Sequence, residues 1–530
     1  MGMTEDQQTL SVKQAIALAD THYHAGRLPE AEKIYQQILK QYPNQHVALH
    51  MLGLIAHQVG KNEIAAELIT KAITLKPDYF DAQNNLGIVH ESLGNAAEAI
   101  SRFQKTISIN PKHFHAYNNL GLVQHKQGNI LDAIGSYDGA LAVNSDFIES
   151  YVNRGVAFQG LGKLEDAESD YRKAIAIAPD NVSAHINLAN TLRSLGKLNE
   201  SVASYRNALK LQSTLYNVHN DLGNTLRDLG DLNAAIDCYR QAFAIEPNFS
   251  MAHHNEGSVL KELGRFEEAV HCLEKAGIAL SRAALLECLY SLGDKERFTR
   301  RLVSVIQEDK TNIGVAAISA FASNQFECPD PYPFCNDPMG FISVRSITPR
   351  TGKHDNLLRN VERHIGDLKL GGGNQSLLES GFQSTGNLFL HEGEAIMELE
   401  KLIKEEISVY VSEREDSDCL LIKSWPDNYT LRGWYILMKQ GGHLKWHNHP
   451  GGWLSGTVYL KMPTTNTEEG YIQFRLHGDD LPIFKKNYPE ETCQVGEGNL
   501  ILFPSSLFHR TVPFQTKEER LCIAFDLIPN

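Results

Sequence analysis

Three histidines near the C-terminal end carry the residue type and spacing of a metal site. His447 and His449 form the run HNHP. Two residues apart on a strand, both would project from one face. His509 follows 62 residues later, in LFPSSLFHRTVPF, just after the apolar run GNLILFP. Two ligands from one strand end and a third from a distant strand let a rigid sheet hold a metal with positions left open. An HxH pair alone is a weak signal. It gains weight here from the later histidine and from Arg520, which opens the last strand, RLCIAFDLI. Three imidazoles also describe a catalytic zinc site, so the ligand types leave iron and zinc both open. His443 is out of register with HNH and reads as a loop residue. Asp479 and Asp480, in HGDD, read as a solvated turn, and Cys522 as a small hydrophobe pointing into the fold.

The elements that must position these groups are short and β-rich. The runs GWYILMKQ, WLSGTVYLKMP, GYIQFRLHG, GNLILFP and RLCIAFDLI are separated by turn residues and predict a sandwich or open barrel. All four tryptophans, Trp425, Trp434, Trp446 and Trp453, fall in this region. Ahead of it, AIMELEKLIKEEISVYVSE (395–413) has helical periodicity and should pack outside the sheet. Four prolines in FECPDPYPFCNDP break regular structure and put a boundary near 330–345. Cys328 and Cys335, in that linker, read as reduced thiols.

The first half is an internal repeat. Gly26, Gly60, Gly94, Gly128, Gly162, Gly196, Gly230 and Gly264 recur every 34 residues. In phase run a small residue (Gly53, Gly87, Gly121, Gly155, Ala189, Gly223, Gly257) and a bulky one (Tyr35, Ile69, Phe103, Tyr137, Tyr171, Tyr205, Tyr239, Leu273). Each unit reads as a helical hairpin. The eightfold glycine ends its first helix in a left-handed conformation. The small residue admits close helix approach, and the bulky residue fills the groove between units. One hairpin cannot bury its own apolar face, so the units must stack.

This period and residue set resembles the tetratricopeptide repeat. Eight repeats span 12–281, with 282–330 as degenerate capping helices and linker. The resemblance implies a superhelix whose concave groove binds a protein or peptide. Asn85, Asn119, Asn153, Asn187 and Asn255, with Asp221 in the same register, resemble the asparagine ladder of the O-linked N-acetylglucosamine transferase repeats. An amide can read a peptide backbone without reading its sequence. The same side chains could instead bond neighbouring helices.

The C-terminal motifs GGHLKWHNHPGGWLSGTVYLKMP and GNLILFPSSLFHRTVPF…EERLCIAFD resemble the 2-oxoglutarate- and iron(II)-dependent oxygenases often fused to such repeats, with prolyl hydroxylases as more distant relatives. The resemblance runs over 335–530. It implies a double-stranded β-helix (jelly roll) with flanking helices, with iron(II), 2-oxoglutarate as co-substrate and ascorbate as an optional reductant. It makes His447 and His509 the outer iron ligands, with His449 where the family carries aspartate. Arg520 matches the residue that grips the distal carboxylate of 2-oxoglutarate. Tyr459, in SGTVYL, matches a tyrosine donating to that carboxylate, and a core aromatic is the alternative. No catalytic group beyond these ligands is implied.

The fold class expected is therefore multidomain α + β, an N-terminal all-α tetratricopeptide superhelix followed by a jelly roll. The function expected is a hydroxylase whose repeats recruit a protein or peptide. The alternatives are a repeat scaffold with a degenerate β-helix domain, or a three-His metal enzyme of another class. The net charge of −14 is spread without a basic block, which argues against nucleic acid and anionic membranes as partners. The run MGMTEDQQTL shows no secretory or myristoylation pattern, and a cytoplasmic location is expected.

Overall fold

The computed structural model describes residues 11–347, 355–368, 377–465, 467–478, 480–486 and 488–530. The first ten residues, read above for targeting signals, and Asp479 lie outside them. Packing divides the chain into two compact units, Met1–Pro247 and Asn248–Asn530.

The first unit is a stack of helical hairpins, from Val12–His24 with Leu28–Gln41 to Tyr216–Asp228 with Leu232–Ile245. The eightfold glycine takes φ between +70° and +82° in every repeat, including Gly264 of the second unit. An L side chain there would be strained, which explains the fixed spacing. The bulky residue does more than fill a groove between units. It seats on the small residue of its own hairpin: a Cβ on Gly121 would stand 2.6 Å from the Tyr137 ring, and one on Gly155 2.6 Å from Tyr171. It also reaches the next unit, as Ile69 clusters with Ala82, Leu86 and Val89. One ring thus closes the hairpin and the stack together.

The second unit begins with two more hairpins, Ser250–Glu262 with Phe266–Ala276 and Ser281–Ser291 with Lys295–Glu308. The helix Ile313–Gln325 follows, buried on almost every side. These helices belong with the β-domain because they touch it. Tyr290 donates to the Pro482 carbonyl at 2.7 Å, and Phe321 stacks on His477 with centroids 4.2 Å apart.

Among the described residues, nine strands build the β-domain: β1 Ser343–Ser346, β2 Leu378–Gln383, β3 Tyr429–Leu444, β4 Leu454–Lys461, β5 Ile472–Arg475, β6 Glu490–Cys493, β7 Asn499–Pro504, β8 Phe508–Thr511 and β9 Arg520–Pro529. The larger sheet runs β1-β7-β4-β9-β3-β2 and the smaller β6-β5-β8. Every pairing is antiparallel. The inner faces meet where Phe474 of β5 packs on Phe503 of β7, ring centroids 4.9 Å apart. This is the expected jelly roll. The helix Glu394–Ser412 flanks it, burying the stripe Ile396, Leu399, Ile403, Ile407 and Tyr410. No helix among the described residues is long and apolar enough to cross a membrane.

Two stability measurements test this packing. Gly121→Ala should cost about 1–3 kcal/mol, because its methyl overlaps the Tyr137 ring. Gly135→Ala, with no atom within 4 Å of its added Cβ, should gain about 0.5–1 kcal/mol. Urea unfolding should return these opposite signs. The second measurement concerns His50, buried between Tyr79 Oη at 3.0 Å and Asn85 Nδ2 at 2.9 Å. Burial, with His46 adding, pushes its pKa down to about 4. The unfolded chain therefore binds a proton that the folded one refuses between pH 6.5 and 4. Stability is fully present above pH 6.5 and falls through that window. His50→Gln should show a shallower loss, and equal slopes in unfolding at pH 7 and 4.5 would contradict this.

Candidate functional site

β3 ends at Leu444, and the chain then leaves the sheet through Lys445, Trp446 and His447. The sequence pattern places His447 and His449 on a strand. In the structure the ladder continues only as one bridge, His447 opposite His509. The two residues exchange both backbone hydrogen bonds, His447 N to His509 O at 3.1 Å and His509 N to His447 O at 2.9 Å. Directly opposed residues of an antiparallel pair project to one face, and their ring centroids lie 4.3 Å apart. His449 comes from the following turn, where its amide donates to the Ser505 carbonyl at 3.0 Å. Its ring centroid lies 5.2 Å from that of His447 and 5.0 Å from that of His509. The turn closes tightly: a Cβ on Gly452 would stand 2.7 Å from Ser505 Oγ. One candidate ligand nitrogen from each of the three histidines lies within 4.8 Å of the others.

Each ring is oriented through Nδ1. That atom lies 2.7 Å from the Lys445 carbonyl in His447, 3.4 Å from the Leu507 carbonyl in His509 and 2.7 Å from Asp526 Oδ1 in His449. A ring that donates from Nδ1 keeps its lone pair on Nε2. His449 Nε2 is buried without a hydrogen-bond partner. Burial, reinforced by His449, pushes His447 down to about 4, and burial with the neighbouring rings holds His509 well below its ordinary value. Both are neutral at neutral pH, the form in which imidazole binds a metal. The donor set therefore fits a transition metal.

The three rings line a cavity of about 490 Å³ together with Arg520. Arg520 is 2% exposed. Its Nε donates to the Gly470 carbonyl at 3.0 Å, and its Nη1 faces Cys522 Sγ at 3.3 Å and Met438 Sδ at 3.8 Å. No carboxylate among the described residues lies within ion-pairing distance of it. A buried cation left unpaired is costly, so this one is poised for an anion entering the cavity. Tyr459 is fully buried, its ring centroid 5.0 Å from the guanidinium, and its hydroxyl has no hydrogen-bond partner.

Asp526 is the residue that sequence reasoning passed over. Arg520, Cys522, Ala524, Asp526 and Ile528 all line the cavity, the period-two face of β9. Parity counted from Arg520 would have found it. Trp434 of β3, nearly parallel to His449 with centroids 5.7 Å apart, covers the outer side of that ring. His443, read as a loop residue, lies on β3 and faces Glu379, with Nε2 to Oε2 at 3.7 Å, apart from the cluster. Asp480 is exposed in a bend, and Cys493 and Cys522 are buried.

The asparagine register of the repeats is half-buried at Asn85, Asn119, Asn153, Asn187 and Asp221, and buried at Asn255. Three of its amides bridge neighbouring repeats. Asn85 Nδ2 donates to His50 Nε2 at 2.9 Å, Asn119 Nδ2 to Asn84 Oδ1 at 3.3 Å and Asn153 Nδ2 to Asn118 Oδ1 at 3.0 Å. Asp221 accepts from Asn220 Nδ2 at 3.3 Å.

Comparison with known proteins agrees with both halves. Residues 432–526 match the family described as "Putative 2OG-Fe(II) oxygenase". Residues 12–55, 50–110, 103–135, 148–181, 170–203, 189–226 and 223–264 match models of the tetratricopeptide repeat. The chain thus carries N-terminal tetratricopeptide repeats and a C-terminal domain of that oxygenase family, with a three-histidine cluster inside it. Among solved structures, MamA is 26% identical over 32% of this chain and 95% of its own, with a TM-score of 0.29. YrrB, described as a TPR protein with an unusual peptide-binding site, is 18% identical over 36% of this chain and 97% of its own, TM-score 0.33. Pseudomonas aeruginosa pilF is 18% identical over 38% and 92%, TM-score 0.35. No curated protein matches the chain.

The isolation of Arg520 makes a stability prediction. Arg520→Met replaces an unpaired buried cation by an apolar chain of similar reach, so the ligand-free protein should melt at the same temperature or higher. A melting temperature several degrees lower would mark Arg520 as a structural residue.

Proposed function

We propose that this repeat protein with an oxygenase-family domain is an iron(II)- and 2-oxoglutarate-dependent hydroxylase acting on a protein or peptide recruited by its repeats. The observation that carries the reading is Arg520, a buried guanidinium without a carboxylate partner, in the same cavity as three converging imidazoles. The cation beside the imidazoles suits a co-substrate that bears a carboxylate as well as metal-binding oxygens. His447, His449 and His509 would hold the iron through Nε2. Arg520 would pair with the distal carboxylate of 2-oxoglutarate, its fork matched to two oxygens. Tyr459 would donate its unpartnered hydroxyl to the same carboxylate. When bound, iron and 2-oxoglutarate would supply, with dioxygen as the oxidant, the oxidative decarboxylation to succinate and CO2 that drives hydroxylation of a C–H bond.

Part of the cavity wall beside these groups is apolar. Ile436, Leu444, Ile472 and Phe503 form apolar walls, so charge pairs inside are strengthened by the low dielectric. The burial that keeps His447 and His509 neutral serves the same end, since no proton has to be displaced before a metal binds. In the repeats, amides of Asn119 and Asn153 are engaged between units, and their carbonyl oxygens would accept from a bound peptide backbone. Asn85, Asn187 and Asp221 would extend that row.

Anaerobic reconstitution with Fe(II), then addition of 2-oxoglutarate and oxygen, should release succinate, slowly without substrate and faster with a peptide bound by the repeats. Arg520→Ala should weaken 2-oxoglutarate binding by about 2–5 kcal/mol, and Arg520→Lys by less, because a point charge keeps attraction and loses the fork. No succinate from iron-loaded protein, with 2-oxoglutarate affinity unchanged in Arg520→Ala, would sink the reading.

A further inference from the structure

We propose that Asp526 is a positioning residue of the metal centre, supplying through His449 the negative charge that a carboxylate ligand would otherwise carry. The inference rests on reading His447, His449 and His509 as metal ligands. Asp526 Oδ1 accepts from His449 Nδ1 at 2.7 Å and from Ser455 Oγ at 2.7 Å. Ser455 Oγ lies 2.8 Å from Ser505 Oγ, and the Ser505 carbonyl accepts the His449 amide at 3.0 Å. The four residues form a closed ring of hydrogen bonds that grips His449 by its imidazole and by its backbone. Ser455 is 1% exposed and Ser505 is fully buried, so the ring is sheltered from water. Its geometry is set by the sheet: Ser455 of β4 stands opposite Asp526 of β9. Gly452 is there because any side chain would collide with Ser505 Oγ and Asp526 Cβ.

The charge arithmetic gives the network its purpose. The usual two-His, one-carboxylate iron site has one negative ligand. Here the three ligands are neutral, and the side chain of Asp526 is 14% exposed. Its one ion-pairing partner among the described residues is His449. A carboxylate accepting from Nδ1–H makes Nε2 a better donor and fixes the ring's direction. The negative charge is present at the site, moved outward by the width of one imidazole. The two placements exclude each other. A carboxylate at position 449 would face Asp526 and Ser505 in the same sheltered ring, and like charges at that distance repel.

The test uses full-length protein and Co(II), a probe that is stable in air in the absence of co-substrate, with affinity read by chelator competition and the ligand field by visible absorption. Thermal melting checks that each variant is folded. Asp526→Asn should weaken Co(II) binding ~10–100-fold and shift the visible bands. Ser455→Ala, which keeps the charge, should weaken it by much less. His449→Asp should bind poorly, and His449→Asp with Asp526→Asn should recover about tenfold over it, because the second change removes the repulsion. Asp526→Asn matching the wild type in affinity and spectrum would overturn the proposal while leaving the metal reading intact, and so would a double variant no better than His449→Asp. A wild-type protein that binds no Co(II) would overturn both.

Discussion

A guanidinium buried inside a double sheet, with a carbonyl and two sulfurs for company, constrains everything built around it. The fold offers Arg520 no carboxylate among the described residues. Folding tolerates such a group when the stability comes from elsewhere. Here it comes from the strands around it: every residue of β4 but the last is buried, and β9 pairs along its length with β3 on one side and β4 on the other. The cation is thus a standing demand for an anion, held rigid until one arrives. That demand distinguishes this cavity from a metal site alone.

β9 joins the two chemical halves of the cavity. Its inward face runs from Arg520 through Cys522 and Ala524 to Asp526. A strand rises ~3.3 Å per residue, so one element fixes Arg520 and the support of His449 on a common ruler. The small Ala524 between them leaves the space in which a ligand could span both. The opposite wall is assembled differently. His447 and His509 meet through a single reciprocal bridge between the end of β3 and the short β8, so the histidine cluster sits where the two sheets approach each other.

Much of this was legible in the residues. The 34-residue glycine period dictates helical hairpins because a left-handed residue is needed at one place in each, and the φ values of Gly26 to Gly264 show that requirement directly. The five apolar runs became β3, β4, β5, β7 and β9. The strands that escaped notice, SVRS, LESGFQ, EETC and FHRT, are four to six residues long and carry little apolar alternation, since they lie at edges or pair on one side. His449 was found by type, whereas its anchoring by Asp526 depends on which residues the sheet register sets opposite each other. Register is a long-range property, and no local pattern encodes it. The asparagine series shows the same boundary: its period was plain and left peptide ladder and inter-repeat bond both open, and the stacked geometry shows bonds between repeats.

In the function proposed, metal and 2-oxoglutarate share one cavity, bound at one end by the imidazoles and at the other by Arg520. Two ligands that touch each other in one site must be coupled, and the coupling is reciprocal. The direct measurement is an anaerobic calorimetric titration of the full-length protein with 2-oxoglutarate, with and without one equivalent of Fe(II). One 2-oxoglutarate should bind per chain, at least about tenfold more tightly when the metal is present, a coupling of the usual size between interacting sites. Binding that is absent, or equal in strength with and without the metal, would contradict it.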